Sequence, residues 1–368
     1  MTDGDIDPGR VDSVVCSAYT LPTDRPESDG TLRWDSTTIV VVEVRGGGAT
    51  GLGYSYTDAA AAELVDRVLA PVVTGRPIVD TGRSWAAMVD ALRNIGRPGL
   101  GSAALSAVDI ALWDLKACLL ETSVAALTPA FHDAVPVYGS GGFTSYSDAE
   151  LQEQLVGWVD QGIGSVKMKV GREPDRDEAR VRAARSAIGD ADLFVDANGA
   201  WTRKQALASA DRFAQYGVTW LEEPVTSDDL DGLRLLRDRS PAGMDITAGE
   251  YGYDLPYFRR MLEAGAVDCL QADVTRCGGI TGFLAVGALC DAHTTDLSAH
   301  TAPSVSAHAC AGVWHLRHLE YFHDHVRVEE LLFDGALTAA SGVIRLDDGC
   351  PGLGLQLKTL DAQPYRVA

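Results

Sequence analysis

Several short apolar stretches of this chain end in side chains that can do chemistry. Asp196 closes "LFVD", Glu222 closes "TWLE" and Glu250 follows "ITAG". One carboxylate at the end of a strand is commonly a helix cap or half of an ion pair. Three on consecutive strands would repel one another unless a cation joined them, and oxygen ligands completed by water in octahedral geometry suit Mg²⁺. Just upstream, "SVKMKVG" carries Lys167 and Lys169 in an otherwise apolar run. Lysine is rarely buried without a partner, and residues two apart in a strand share a face, ~7 Å from each other. Two ammonium groups so placed, beside a divalent ion, are expected to lower each other's pKa. A lysine lowered in this way can serve as a base near neutrality. Lys169, nearer the end of its strand, is the expected base; Lys167 would tune it or meet a substrate carboxylate. Two later strands end in Asp273 ("CLQAD") and His300 ("LSAH"). A carboxylate that accepts one ring N–H orients an imidazole and favours its protonated form. Glu320 lies in "HLEYF", and Asn198 in "DANGAW" either contacts substrate or forms an Asx turn. Glu223 faces away from Glu222 by strand alternation and is left out of the ligand set. The other seven histidines have no partner at a strand end and are expected to be surface or packing residues.

The elements that must position these groups follow from periodicity. From about residue 135, apolar strand candidates recur roughly every 20–30 residues, separated by amphipathic stretches such as "DRDEARVRAARSAIG". Eight such strands point to a (β/α)₈ barrel or something near it, in which side chains at the C-terminal strand ends form the active site. Before them, the β-branched run "STTIVVVEVR" and the turn-rich "GGGATGLG" read as a hairpin, followed by helical patterns that include "SAALSAVDIALWDLKACLL". The expected organisation is an α+β unit over residues 1–131, a barrel over 132–340, and a Gly-rich segment, 341–368, that returns to the N-terminal unit.

Composition narrows the function classes. The 368 residues include 52 acidic and 31 basic side chains, a formal net charge of −21. This argues against general binding to nucleic acid or anionic membrane, both of which need a basic face. The seven cysteines are scattered and odd in number, so neither a disulfide framework nor a zinc knuckle is expected, and a reducing cytoplasmic setting fits. The acidic "MTDGDIDPGR" has no apolar leader, and no run is long enough to span a membrane.

The ordered set Lys167-Met168-Lys169, Asp196, Glu222, Glu250, Asp273, His300 and Glu320, with "DANGAW", "LEEP", "AGE" and "QADVTRCGGIT", resembles the enolase superfamily and, within it, the mandelate racemase subgroup. A muconate-cycloisomerase-like relative would carry lysine where this chain has Asp273. The resemblance implies an α/β fold: a (β/α)₇β-type modified TIM barrel with an N-terminal α+β capping domain completed by the C-terminal segment. It also implies Mg²⁺ on Asp196, Glu222 and Glu250, with Lys169 and His300 as acid/base groups on opposite faces of a small-molecule carboxylate. Glu320 would hydrogen-bond that carboxylate as it becomes an enediolate. The expected reaction is dehydration of a sugar acid, with racemisation or epimerisation of a 2-hydroxy acid as the alternative. A non-catalytic binding or structural role is the reading from another class. The resemblance further implies a homo-oligomer, an octamer or a dimer. Specificity is expected from capping loops at residues 21–34 and 53–58, with Arg25, Tyr54 and Tyr56 as candidate substrate contacts.

Overall fold

The computed structural model describes residues 9–347 and 349–368; the acidic residues 1–8, in which no leader was seen, lie outside them. Three antiparallel strands open the chain: β1 (Val11–Ser28), β2 (Arg33–Gly46) and β3 (Ala49–Tyr56). The expected hairpin joins β2 to β3 through Gly47 and Gly48. The sheet packs on a long, mostly buried helix, Leu100–Leu119. Gly51 and Gly53 of β3 allow this contact, because a Cβ there would lie 2.2 Å from the carbonyl oxygens of Ala111 and Ala107. Any side chain at either position would push the helix off the sheet.

The expectation of loops at 21–34 and 53–58 is corrected. Residues 21–28 end β1, 53–56 belong to β3, and the chain leaves strand geometry only briefly around Asp29–Leu32. Pro22 and Pro26 read as loop residues, but β1 is the edge of its sheet, where proline is tolerated. The pairing with β2 also shifts register between Pro22 and Glu27.

Eight parallel strands follow: β4 (Ala134–Gly141), β5 (Ser165–Lys169), β6 (Asp192–Asp196), β7 (Val218–Glu222), β8 (Asp245–Ala248), β9 (Cys269–Ala272), β10 (Asp296–Ala299) and β11 (Leu316–Phe322). They pair in sequence order, and β11 closes on β4. A helix follows each strand, from Asp148–Asp160 to His323–Leu332. Tyr138, Phe194, Trp220 and His318 meet inside the barrel with ring centroids 4.6 to 6.2 Å apart. They form a floor beneath Lys167, whose Nζ lies 5.2 Å from the centre of the Tyr138 ring.

The last segment touches both units. Val343–Arg345 pairs antiparallel with β4, while Val367 donates its N–H to the Ala18 carbonyl of β1 at 2.8 Å. Asp114, buried on the long helix, accepts the backbone N–H of Leu52 and that of Leu353, each at 2.6 Å. Truncating it would strand two buried N–H groups, each worth about 1–3 kcal/mol. Asp114→Ala is therefore expected to destabilise the protein by about 2–5 kcal/mol in chemical denaturation, whereas an unchanged midpoint would show that the two contacts carry little. Among the described residues all seven cysteines are free, and no helix is long and apolar enough to cross a membrane.

Candidate active site

Strand register builds the site. Lys169 of β5 is the direct partner of Asp196 on β6, and Asp196 is the direct partner of Glu222 on β7. Glu250 arrives one residue after Gly249, whose φ of 138° and whose approach to the Gln271 carbonyl, 2.0 Å from where a Cβ would sit, admit only glycine. One carboxylate oxygen from each of Asp196, Glu222 and Glu250 lies within 4.8 Å of the others, and all three residues are buried. Burial and the neighbouring Asp196 push the Glu222 carboxyl up to about 8. Three hard oxygen donors at this spacing fit Mg²⁺.

The like-charge effect expected of the two lysines is present, but with no cation bound it is not the largest one. Burial lowers both, and Lys167 lowers Lys169 further, but the surrounding carboxylates outweigh these effects and both ammonium groups are held protonated. Lys167 is fully buried, with Nζ 2.5 Å from Glu222, 2.9 Å from Glu320 and 3.7 Å from Asp196. Lys169 lies 2.5 Å from Asp196. Lys169 lines an open cavity and Lys167 is not among its lining residues. The sequence shows two like charges close together and the acids at nearby strand ends, but not how closely those acids approach each ammonium group.

His300 lines the same cavity. Its Nδ1 is 2.7 Å from Asp273 Oδ2, and its Nε2 is 3.2 Å from Glu250 and 3.5 Å from Glu320. Burial lowers the imidazole, but Glu250, Glu320 and Asp273 raise it more, to about 10. Asp273 also accepts the N–H and the hydroxyl of Thr275, each at 2.7 Å. Burial raises its carboxyl, but these bonds, His300 and Arg276 bring it down to about 2. Glu320 accepts from Ser140 at 2.5 Å, while its buried Oε2 has no hydrogen-bond partner among the described residues.

The cavity between these groups measures about 180 Å³. Asn198 lines it with a left-handed backbone (φ 45°); the Asx turn here is made by Asp196, whose Oδ1 accepts the Asn198 N–H at 2.8 Å, while the side-chain Oδ1 of Asn198 makes no hydrogen bond among the described residues. Asn198 and Tyr251 also line a neighbouring cavity of about 640 Å³ that includes Glu223. Glu223 is outside the carboxylate triad, but alternation is not the reason: the strand ends at Glu222 and residue 223 turns left-handed (φ 39°).

The capping candidates lie elsewhere. Tyr54 is fully buried and donates to Glu329 at 2.6 Å, and Tyr56 stacks on His325 and donates to its carbonyl at 3.2 Å. Arg25 pairs with the exposed Glu150 at 2.8 Å. None of the three lines the cavity; the cap instead contributes Asp29, Trp34 and Thr37. The stretch 21–34 was thus the right one for two of these, through other residues. Arg276 and His325 line the cavity too and were missed. Arg276 stands three residues after Asp273, 3.4 Å from it and 3.9 Å from Glu250, a proximity that "DVTR" would have allowed. His325 is held neutral by burial, at about 3, and accepts the Ala302 N–H at 3.3 Å.

Comparison with known proteins agrees with this geometry. Residues 150–362 match the family model described as enolase C-terminal domain-like, and residues 20–128 match that of the mandelate racemase/muconate lactonizing enzyme N-terminal domain. The structure of a mandelate racemase/muconate lactonizing enzyme-like protein from Rubrobacter xylanophilus superposes with a TM-score of 0.96 at 58% identity, covering 97% of this chain and 100% of that one. The 3,6-anhydro-α-L-galactonate cycloisomerase of Streptomyces coelicolor is 35% identical over 331 residues, 87% of this chain and 91% of that one. The L-talarate/galactarate dehydratase of Salmonella typhimurium is 32% identical over 369 residues, 95% of this chain and 89% of that one. Its structure liganded with Mg and L-lyxarohydroxamate superposes with a TM-score of 0.89 at 28% identity, over 100% of this chain and 95% of that one. With both of its domain models matched across most of the chain, the protein is an enzyme of the mandelate racemase/muconate lactonizing enzyme family, within the enolase superfamily.

Proposed function

We propose that this enzyme removes the proton α to the carboxylate of a sugar acid, an aldonate or aldarate, and expels the β-hydroxyl as water. One observation carries the reading: Lys169 and His300 line a single small cavity together with Glu250 and Glu320. The dehydratase relative, 32% identical, supports it. Asp196, Glu222 and Glu250 would hold Mg²⁺, which when bound supplies positive charge for the substrate carboxylate and takes up the negative charge that otherwise keeps Lys169 protonated. Lys169, free of its proton, accepts the α-hydrogen, and the C–H electron pair moves into an enediolate. Glu320, through Oε2, which makes no hydrogen bond among the described residues, accepts a hydrogen bond from the substrate. His300, held by Asp273, gives a proton to the β-oxygen as the C–O bond breaks. The enol left behind tautomerises to a 2-keto-3-deoxy acid. Lys167 keeps Glu222 and Glu320 in place.

The cycloisomerase relative, 35% identical, favours a second reading that shares the first half of this sequence. There the departing β-oxygen belongs to a ring of the substrate, so it stays attached and no water is released. Incubation with a stereochemically complete panel of sugar acids and anhydro sugar acids distinguishes the two. Formation of a 2-keto-3-deoxy acid from an open-chain substrate supports dehydration, and turnover of an anhydro acid alone supports the second reading. Inversion at the α-carbon with the β-oxygen retained in every productive case would contradict both and favour a racemase or epimerase.

A further inference from the structure

A second group of metal-ligand side chains lies outside the barrel triad. Asp24 and Glu27, near the end of β1, and His323, at the start of the helix after β11, each bring one ligand atom to within 4.8 Å of the others. His323 Nε2 is 3.1 Å from Asp24 Oδ2, an ion pair that accounts for two of the three residues. It does not account for Glu27. That carboxylate is fully buried; one oxygen accepts the Trp34 indole N–H at 2.7 Å, and the other, Oε1, has no hydrogen-bond partner among the described residues. Buried carboxylates are ordinarily paired or bound to a metal. The nearby Arg327 is already engaged, donating to Asp324 and to the Pro22 carbonyl.

We infer that Asp24, Glu27 and His323 form a second divalent-cation site, joining the capping sheet to the barrel. Its chemistry differs from that of the triad. One imidazole nitrogen and two carboxylates suit a borderline ion such as Zn²⁺ or Mn²⁺, whereas the all-oxygen triad suits Mg²⁺. Three protein ligands leave a position for water. Access is open, since the side chains of Asp24 and His323 are 42% and 27% exposed. The ion would also bear on the reaction cavity, because Trp34, held by Glu27, is part of its lining.

The test uses the full-length protein, stripped of metal and then saturated with Mg²⁺ to fill the triad. Zn²⁺ is added, and its stoichiometry and affinity are measured by calorimetry and elemental analysis. The wild type is expected to take up one Zn²⁺ per chain that Mg²⁺ does not displace. Asp24→Asn and His323→Gln, both at partly exposed positions, should each weaken that binding at least about tenfold while leaving Mg²⁺ stoichiometry unchanged. Zinc held elsewhere, for example by the exposed Cys350, would persist in both variants. No zinc uptake by the wild type, or the same affinity in all three proteins, would overturn the proposal. The readout is metal content rather than turnover, so it is independent of the reaction assigned to the barrel.

Discussion

Lys169→Met is expected to lower turnover by about 10²–10⁴-fold or more, the usual contribution of a positioned acid or base. That corresponds to about 3–5 kcal/mol of lost transition-state stabilisation. The cause is local: among the described residues no other amine lines the cavity, since Lys167 is enclosed by Glu222, Glu320 and Asp196 beneath it. Lys169→Met also removes the charge 2.5 Å from Asp196, so a second variant separates the two roles. Lys169→Arg keeps a cation beside Asp196 but cannot give up its proton. It should be nearly as inactive as the methionine variant. Recovery of a tenth or more of wild-type kcat with arginine would mean that the residue serves as a charge and not as a base.

Removal of the divalent ion is expected to have an effect of similar size. Chelation should abolish turnover and Mg²⁺ should restore it, because an α-proton of a carboxylate is very weakly acidic and its removal requires strong stabilisation of the dianion. Within the triad, Glu222→Gln is the informative change. Glu222 holds Lys167 at 2.5 Å and accepts the Trp220 N–H at 2.9 Å, and an amide of the same shape keeps a carbonyl acceptor while losing the charge. Mg²⁺ affinity, followed by calorimetry, should fall at least about tenfold. Turnover that survives in protein shown to be metal-free by elemental analysis would contradict this account of the triad.

The barrel was legible in the sequence because each strand is a short apolar run that stops at a polar residue, and each is followed by a helical pattern. Most residues that mark the site, from Lys169 to His300, lie at or just after those stopping points, Glu320 within β11 being the exception, and parallel register alone brings Lys169, Asp196 and Glu222 into one row. The cap was less legible. "GYSYTD" (residues 53–58) reads as a capping loop, yet Gly51 and Gly53 let a helix approach a strand there, and Tyr54 is buried. Arg25 looked suited to a substrate carboxylate, but Glu150, far along the chain, already holds it. The protonation of the lysines depends on more than the pair itself: Lys167 does lower Lys169, but with no cation bound the carboxylates around them outweigh that effect. A local pattern displays Lys167 beside Lys169, whereas the acids that decide their charge come from β6, β7 and β11. Arg276 and His325 enter the cavity from segments beyond their strand ends, where periodicity no longer says which way a side chain points.

The central claim is that Lys169 and His300 divide one reaction between them, the lysine removing the α-proton and the histidine delivering a proton to the leaving oxygen. Exchange of that α-proton in D₂O, followed by NMR alongside product formation, tests it most directly when His300→Asn is compared with Lys169→Met on a true substrate. Asparagine at 300 loses the imidazole that Asp273 holds at 2.7 Å but leaves Lys169 in place. The account predicts that His300→Asn still exchanges the α-proton at a measurable rate while keto-acid formation falls about 10²–10⁴-fold, and that Lys169→Met does neither. Full exchange by Lys169→Met, with none by His300→Asn, would contradict it.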